Sequence, residues 1–216
     1  GYRLQRVKAD PDNPGDVLVI LTLSGGGTPA AALAYGTMEA LRDAKLRIGG
    51  RSRRLLDEVD VINAVSGGSI VAAYYALHRE GLFRDFEGKF LKRDVERQLR
   101  AELIANLPRL AQSQFSRGDL LAEYFDRELF DGATYADLAR GDMRPYVVIN
   151  AAALSTGARF PFTQAQFDLL CLDLGSVKLG RAVAASAALP PFFGPITLEN
   201  HAGSCGPVSL PGITSN

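Results

Sequence analysis

Three short apolar runs stand out in the chain, at residues 17–23, Val59–Val65 and Tyr146–Ala152. None of them shows the strict alternation of apolar and polar positions that is typical of a half-exposed strand. Continuous apolar runs of this length are typical of strands buried on both faces, as in parallel sheets. We therefore predict at least three central strands.

Each of the first two runs leads into a glycine-rich turn and then into a helical pattern. SGGG follows the first run, and Pro29 suits the first turn of the helix after it. SGG follows the second run, and its helix is expected to stop near Gly81. Two strand–turn–helix units indicate an α/β domain with a parallel sheet and helices on its faces.

The remaining segments give weaker patterns. Residues 82–107 carry an apolar stripe that predicts an amphipathic helix packed on the core, with a membrane-surface helix as the alternative. Short helices are expected at 118–130 and 134–139, a hairpin or short strand pair at 159–170, and a helix at 178–188 stopped by the prolines at 190–191. From residue 200 onward we expect loop.

Composition narrows the function classes. The chain has 216 residues, of which 47% are hydrophobic, and its 24 Lys and Arg balance 24 Asp and Glu. A neutral chain gives no electrostatic reason to expect a nucleic-acid partner. No apolar window is long enough to span a membrane, and residues 1–16 lack the apolar core of a signal peptide, so any targeting segment would precede residue 1.

The two cysteines, Cys171 and Cys205, lack the spacing of a zinc site. We expect two free thiols, with a single bridge between them as the alternative.

Three interpretations compete for the first glycine turn, Ser24 to Gly27. A phosphate loop needs a Gly-Lys-Ser/Thr ending, which Thr28-Pro29 does not supply. The loose dinucleotide fingerprint is satisfied by Gly25-x-Gly27-x-x-Ala30, but the next strand ends in Ala-Val-Ser and not in the acid that should bind the ribose. The third interpretation is an anion site, because amides that open a helix can stabilise an oxyanion.

The second turn surrounds Ser66. Ala64-x-Ser66-x-Gly68 is close to the G-x-S-x-G nucleophile elbow, and it lies between a predicted strand and a predicted helix, as that motif requires. The alternative is a serine that only caps the helix, with glycines that pack the joint.

A nucleophilic serine needs a base, and the two histidines are poor candidates. His78 lies twelve residues after Ser66 on the same helix, about 18 Å away along its axis. His201 lies in a Pro- and Gly-rich loop. A Ser-His-Asp triad is therefore disfavoured, and a serine activated by a carboxylate is the better hypothesis.

Three blocks in this order resemble the patatin-like phospholipases. They are Ser24-Gly25-Gly26-Gly27, Val65-Ser66-Gly67-Gly68-Ser69, and Ala185-Ser186-Ala187-Ala188-Leu189-Pro190 with Phe193. The pieces Asn150-Ala151, Thr156-Gly157-x-Arg159-Phe160 and Phe162-Thr163-Gln164 resemble the bacterial branch of that family.

The resemblance implies a three-layer α/β/α fold with a mainly parallel central sheet, and a Ser-Asp dyad that hydrolyses lipid acyl esters without metal or cofactor. Ser66 would be the catalytic nucleophile, and the amides of Gly25, Gly26 and Gly27 would form the oxyanion hole. The substrate would be a lipid or another ester, reached in some members at a membrane surface. Residues 185–193 and the helix at 86–104 would supply walls for the acyl chain.

The chain departs from the family pattern in three places. Pro29 stands where a basic residue is usual, and Ala64 replaces the first glycine of the elbow. The Asp-Gly-Gly or Asp-Gly-Ala turn that carries the catalytic aspartate is missing after residue 190, and Asp131-Gly132 lies upstream of the third block. We therefore expect residues 1–216 to form a single patatin-like domain that lacks its C-terminal part, with the acid beyond residue 216. The alternative is a catalytically inactive lipid-binding or scaffold protein.

Overall fold

The computed structural model describes residues 1–7, 18–48, 50–112, 115–141, 144–189 and 193–206. Its strands are β1 Val19–Leu23, β2 Lys45–Ile48, β3 Arg51–Arg54, β4 Val59–Val65, β5 Tyr146–Ala152 and β6 Arg159–Pro161. Its α-helices are α1 Gly27–Asp43, α2 Gly67–His78, α3 Val95–Ala105, α4 Leu107–Leu110, α5 Arg117–Phe125, α6 Tyr135–Arg140, α7 Gln164–Asp168 and α8 Leu179–Ala187. Leu82–Leu91 and Asp126–Phe130 are π-helical, and Leu4–Arg6, Leu55–Glu58 and Leu174–Ser176 are 3₁₀ turns.

The main sheet has the order β1-β4-β5-β6. β1, β4 and β5 are parallel, and β6 adds to β5 in the antiparallel direction. The three apolar runs therefore form the three parallel strands, as predicted, although residue 17 lies outside the described part of the chain. Parallel pairing brings the carboxyl ends of β1, β4 and β5 to one edge of the sheet.

Helices flank this sheet. α2 packs on β4 and β5 and against α1, and α8 packs on β5 and against α5. Nine consecutive residues of α2, from Gly67 to Tyr75, are buried, which agrees with the small and apolar composition of this helix. The other face of the sheet is partly open at Ile20 and Val65, whose side chains are 54% and 41% exposed.

One local prediction was wrong, and one element was not predicted. Residues 159–170 form one short strand followed by a helix instead of a strand pair, because Thr163 caps α7 with its hydroxyl. The sequence also gave no signal for the hairpin of β2 and β3, which has Arg at four of its eight positions and stands apart from the main sheet. Such a strongly charged hairpin lacks the apolar alternation on which strand prediction depends.

The amphipathic segment at 82–107 divides into two pieces. Phe86 and Phe90 are buried in the core, which confirms core packing for the first piece. Asp94 then caps α3 by accepting a hydrogen bond from the amide of Arg97. α3 has no buried residue, and its Ile104 is 69% exposed.

The cysteine prediction was wrong. Cys171 and Cys205 form a disulfide, with their Cα atoms 5.7 Å apart. The expectation of free thiols failed because spacing along the chain does not show that the turn after α7 meets the C-terminal segment. The amide of His201 donates to the carbonyl of Leu170 at 3.1 Å, next to the disulfide.

The described part of the C-terminal segment, residues 193–206, contains no helix or strand, and loop was expected from residue 200 onward. The predicted helix stop at 190–191 and residues 207–216 lie outside the described residues. None of the described helices combines the length and the apolar character that a membrane crossing requires.

Candidate active site

The register of the sheet brings the two glycine turns together. Leu23, the last residue of β1, pairs with Ala64, and Val65, the last residue of β4, pairs with Asn150. Both turns therefore leave the sheet at the same edge, each directly before a helix. A Cβ atom added to Gly25 would lie 3.1 Å from the Cβ of Ser66, so the first turn passes beside the serine.

Ser66 occupies a strained backbone position. Its φ of 51° and ψ of −120° lie in a region that non-glycine residues rarely adopt. Close packing surrounds the turn, because a Cβ on Gly67 would lie 2.2 Å from the carbonyl oxygen of Gly27 and one on Gly68 would lie 2.7 Å from that of Leu23. Glycine is required at both positions, since any side chain would push the start of α2 away from the end of β1 and from the first glycine turn. The sharp strand-to-helix turn predicted from the sequence is present.

The helix-cap interpretation of Ser66 is not supported. The Ser66 side chain makes no capping hydrogen bond to α2. The backbone carbonyl of Ser66 instead accepts hydrogen bonds from the amide of Ser69 at 2.8 Å and from the Ser69 hydroxyl at 2.6 Å. The elbow is thus stabilised through its backbone, and the Ser66 hydroxyl takes no part in closing the turn.

Ser186 holds the elbow from the other side. Its hydroxyl accepts a hydrogen bond from the amide of Ser66 at 2.7 Å and donates one to the carbonyl of Asn150 at 2.5 Å. A single side chain near the end of α8 therefore links the elbow to β5. Sequence reasoning used Ser186 only as part of a family block and missed this role, since no local pattern shows which backbone groups a distant hydroxyl will bind.

The first glycine turn has the backbone conformations expected of a strained loop. Gly26 has φ 139° and Gly27 has φ 67°, both in the region that favours glycine. Gly27 is the first residue of the 17-residue helix α1, so free amides and the positive end of the helix dipole meet at this turn. Pro29 is the third residue of α1 and so lies in its first turn, as expected, where a missing N–H breaks no helical hydrogen bond.

The histidines and Asp131 lie elsewhere. His78, the last residue of α2, has its Nε2 atom 3.1 Å from the carbonyl of Leu129, and His201 pairs with Glu199 on the surface. Asp131 follows Leu129 closely and acts electrostatically on Tyr74, near the His78 end of α2. Among the described residues, no imidazole or carboxylate hydrogen-bonds to Ser66, and no three His, Cys, Asp or Glu residues are grouped as metal ligands.

A cavity of about 940 Å³ opens next to the elbow. It includes Val65, the residue before Ser66, and Ser186, which binds the amide of Ser66. Much of its wall is apolar and comes from β6, the turn after α7 and the C-terminal segment: Phe160, Phe162, Leu170, Phe193, Ile196 and Leu198. Of the described residues of the segment 185–193, Ala185, Ser186, Ala188 and Phe193 contribute to the wall as expected, whereas no residue of the segment 86–104 lines this cavity.

A polar cluster lies within the same cavity. Asn150 donates from Nδ2 to Oδ1 of Asn63 at 2.8 Å, and its own Oδ1 accepts from Nε of Arg159 at 2.6 Å. A terminal nitrogen of Arg159 lies 3.4 Å from Oδ1 of Asn63. Asn150 is only 4% exposed, whereas Asn63 is half-buried and Arg159 is exposed, so the cluster runs from the sheet to the surface.

The mainly parallel sheet and the strained serine turn beside a glycine-rich turn define a class of protein, the α/β domains with a sharp elbow between a strand and a helix. Residues 21–207 match the patatin-like phospholipase family, and the chain belongs to that family. The match is to the family as a whole and does not distinguish a bacterial branch.

A solved structure shares the fold at low sequence identity. Human GIVD cytosolic phospholipase A2, in complex with a methyl γ-linolenyl fluorophosphonate inhibitor and terbium chloride, aligns with a TM-score of 0.53 and 19% identity. The alignment covers 85% of this chain and 31% of the human chain, so the protein spans about a third of that enzyme's length. The expected α/β/α fold with a mainly parallel sheet is confirmed. No curated protein sequence matches the chain.

Proposed function

We propose that the protein is a serine-dependent lipid acyl hydrolase, a phospholipase or esterase, that works through an acyl-enzyme. The observation that carries the proposal is the strained Ser66 beside Gly25, next to an apolar cavity. A nucleophile elbow presents its hydroxyl clear of the sheet, and amides in a neighbouring turn can stabilise the charge that develops on the substrate.

In the proposed reaction, the Ser66 oxygen attacks the ester carbonyl and its proton passes to a carboxylate base. The amides of Gly25, Gly26 and Gly27 stabilise the tetrahedral oxyanion, aided by the dipole of α1. Collapse of this intermediate breaks the bond to the alcohol, which leaves with the proton, and the acyl group remains on Ser66. Water, deprotonated by the same base, then hydrolyses the acyl-enzyme and releases the fatty acid. No metal or cofactor takes part in these steps.

We propose an aspartate as the base, in a Ser-Asp dyad. Both histidines have other partners away from the elbow, which favours a carboxylate over an imidazole. None of the described carboxylates hydrogen-bonds to Ser66. We therefore propose that the catalytic aspartate lies beyond residue 216 in a longer protein. The same observation motivates the second candidate, a patatin-like protein that binds lipid without hydrolysing it.

A fluorophosphonate probe tests the nucleophile, because such probes phosphonylate activated serines. We expect labelling of the parent protein that maps to Ser66 and is lost in Ser66→Ala. Ser176→Ala is the matched control, since this hydroxyl bonds only to the carbonyl of Asp173 in an exposed turn.

Labelling that persists in Ser66→Ala would overturn the assignment. The coding sequence after residue 216 separates the two candidates: an in-frame Asp-Gly-Gly or Asp-Gly-Ala favours the hydrolase. An absent motif, together with an unlabelled Ser66, favours the lipid-binding protein.

A further inference from the structure

The disulfide between Cys171 and Cys205 lies at the end of the cavity wall. Residues 199–206, which carry Cys205, are all exposed. The wall residues that precede them in the C-terminal segment are half-buried and line the cavity: Phe193, Ile196 and Leu198. Leu170, which precedes the other cysteine, lines the same cavity. The bond therefore joins two stretches of chain that both contribute apolar side chains to the wall.

Few contacts hold residues 199–206 besides this bond. Among the described residues, the amides of this stretch that reach other parts of the chain bind the turn after α7. The amide of His201 donates to the carbonyl of Leu170 at 3.1 Å. The amide of Cys205 donates to Sγ of Cys171 at 3.3 Å. The disulfide is thus the covalent anchor for this end of the wall.

The backbone at Cys171 is one that favours glycine. Its φ of 54° lies in the left-handed region. The amide of Cys171 donates to the carbonyl of Asp168 at 3.1 Å, and the amide of Leu172 donates to that of Phe167 at 3.0 Å, as in the turns that end helices. Such a turn needs no side chain at this position, so the cysteine is explained by the bond that it forms.

The two sulfur atoms differ in their access to a reductant. Cys205 is exposed and Cys171 is half-buried, so an incoming thiolate reaches Sγ of Cys205 first. Cys171 is then the leaving thiolate, and it already accepts the amide hydrogen of Cys205. A hydrogen bond to the charged form favours that form, which assists the leaving group. The chain has only these two cysteines, so no third thiol can rearrange the bond.

From these features we infer that the Cys171–Cys205 disulfide is a redox switch of the cavity, closed by oxidation and opened by a dithiol. One thiolate of the dithiol attacks Sγ of Cys205, the S–S bond breaks, and Sγ of Cys171 takes the electron pair and then a proton. The second thiolate of the dithiol attacks the sulfur now bound to Cys205 and frees the Cys205 thiol. The protein gains two electrons and two protons, and the dithiol loses them and becomes a disulfide.

The inference rests on the proposed function, because the wall belongs to the cavity next to the proposed nucleophile. In the oxidised protein the wall is anchored, and the cavity holds a long acyl chain. In the reduced protein residues 199–206 are released and Leu198 loses its nearest anchor, so the long chain is held less tightly. A short acyl group needs less of the wall, so the switch changes chain-length preference and leaves the turn at Ser66 intact.

Proteolysis of the folded protein tests the opening of the wall. Cleavage by chymotrypsin after Phe193 and Leu198 requires these half-buried side chains to leave the wall. We expect both cleavages to accelerate about 10-fold in dithiothreitol and to slow again after reoxidation, since cleavage follows the population of the open form. Cleavage after Leu46, 42% exposed on the separate β2–β3 hairpin, is the internal control and should not change.

Ligand binding tests the consequence for the cavity. Ser66→Ala reports affinity without turnover. We expect its affinity for a fluorescent long-chain fatty acid to fall about 10-fold on reduction, the contribution of about one buried aliphatic side chain. A short-chain analogue should bind equally well in both states.

A bridge that cannot be reduced provides the matched control. Dibromomethane joins the two thiols of the reduced protein through one methylene group, which dithiothreitol does not cleave. The bridged protein should keep slow proteolysis and full affinity in the presence of the reductant. Loss of either in the bridged protein would show that the reductant acts elsewhere and would overturn the inference.

Several other results would contradict the switch. These are a disulfide that dithiothreitol reduces only in denaturant, unchanged cleavage after Leu198 in the reduced protein, and unchanged affinity for the fatty acid although the wall opens. Equal acceleration after Leu46 would indicate general unfolding and would also overturn it. Failure of the proposed function is seen separately: an unlabelled Ser66 in a protein whose cavity still opens on reduction removes the hydrolase and leaves the switch in place.

Discussion

At the scale of single residues, the elbow depends on a side chain that lies 120 positions from it. The Ser186 hydroxyl satisfies the amide of Ser66 and the carbonyl of Asn150 together. Both groups are backbone atoms at the edge of the sheet, where a replacement partner would have to be water. Ser186 is therefore a positioning residue for the proposed nucleophile.

Ser186→Ala should lower the free energy of unfolding by about 1–3 kcal/mol, because it leaves a partly buried donor and acceptor unpaired. It should also slow fluorophosphonate labelling of Ser66, since the elbow loses its link to β5. Urea denaturation and labelling rates measure the two effects. Ser186→Thr keeps the hydroxyl and should retain most of the labelling rate, and an Ala variant that labels as fast as the parent would contradict the positioning role.

The residues of the two turns were easier to predict from the sequence than the residues that act through contacts between distant parts of the chain. The turns at Ser66 and at Gly25 to Gly27 were predictable because each lies between an apolar run and a helical pattern, which is a local signal. Ser186, Asn63 and Asn150 act through contacts fixed only by strand register and helix packing. The contact of Arg159 with Asn150 depends on the same long-range placement.

At the scale of elements, the C-terminal segment forms one wall of the cavity although it has no regular structure. Gly194 packs against Gly118 at the start of α5, and Arg181 of α8 donates to the carbonyl of Thr197. The disulfide closes the segment onto the turn after α7. The wall is thus held by attachments to α5, α8 and the turn after α7, and not by a helix or strand of its own.

Replacing both cysteines with serine should lower the free energy of unfolding by about 3–4 kcal/mol, the chain-entropy expectation for a cross-link that spans 34 residues. It should also raise KM for long-chain esters, because the apolar wall becomes less ordered. Chemical denaturation and kinetics with short and long acyl chains measure both effects. A reductant should act on the parent protein but not on the double variant, and equal sensitivity of the two would contradict this account.

At the scale of the whole molecule, buried tyrosines connect the sheet to the N-terminal segment. Tyr2 stacks on Tyr146 with ring centroids 4.6 Å apart, and the amide of Val147 donates to the Tyr2 hydroxyl at 2.7 Å. Burial raises the pKa of Tyr146 to about 12, and it also raises the pKa of Tyr2 and of Tyr135. Each phenol is therefore easier to ionise in the unfolded chain than in the folded protein.

The sign of the pH dependence follows from this difference. Below pH 10 the phenols are neutral in both states and the stabilisation is complete. For Tyr146 it is lost as pH rises from about 10 through 12. For Tyr146, which is 4% exposed, the loss should approach about 2–3 kcal/mol. Tyr146→Phe should flatten the fall in unfolding free energy over this range, as measured by denaturation at a series of pH values. Identical pH profiles for the parent and the variant would contradict the assignment.

The fold class was the most predictable property of the molecule, because three buried strands and two glycine turns constrain the topology strongly. The β2–β3 hairpin and the disulfide were not predictable. One carries charged residues where a strand signal would be apolar, and the other joins two segments that only the tertiary structure brings together.

Asn150 belongs to β5, yet its side chain orients Arg159 while its carbonyl anchors Ser186 and, through it, Ser66. The elbow and the polar cluster of Asn63, Asn150 and Arg159 therefore share one buried residue. A substitution at Asn150 would disturb the turn at Ser66 and the wall of the cavity together, so neither can be altered through this residue without the other.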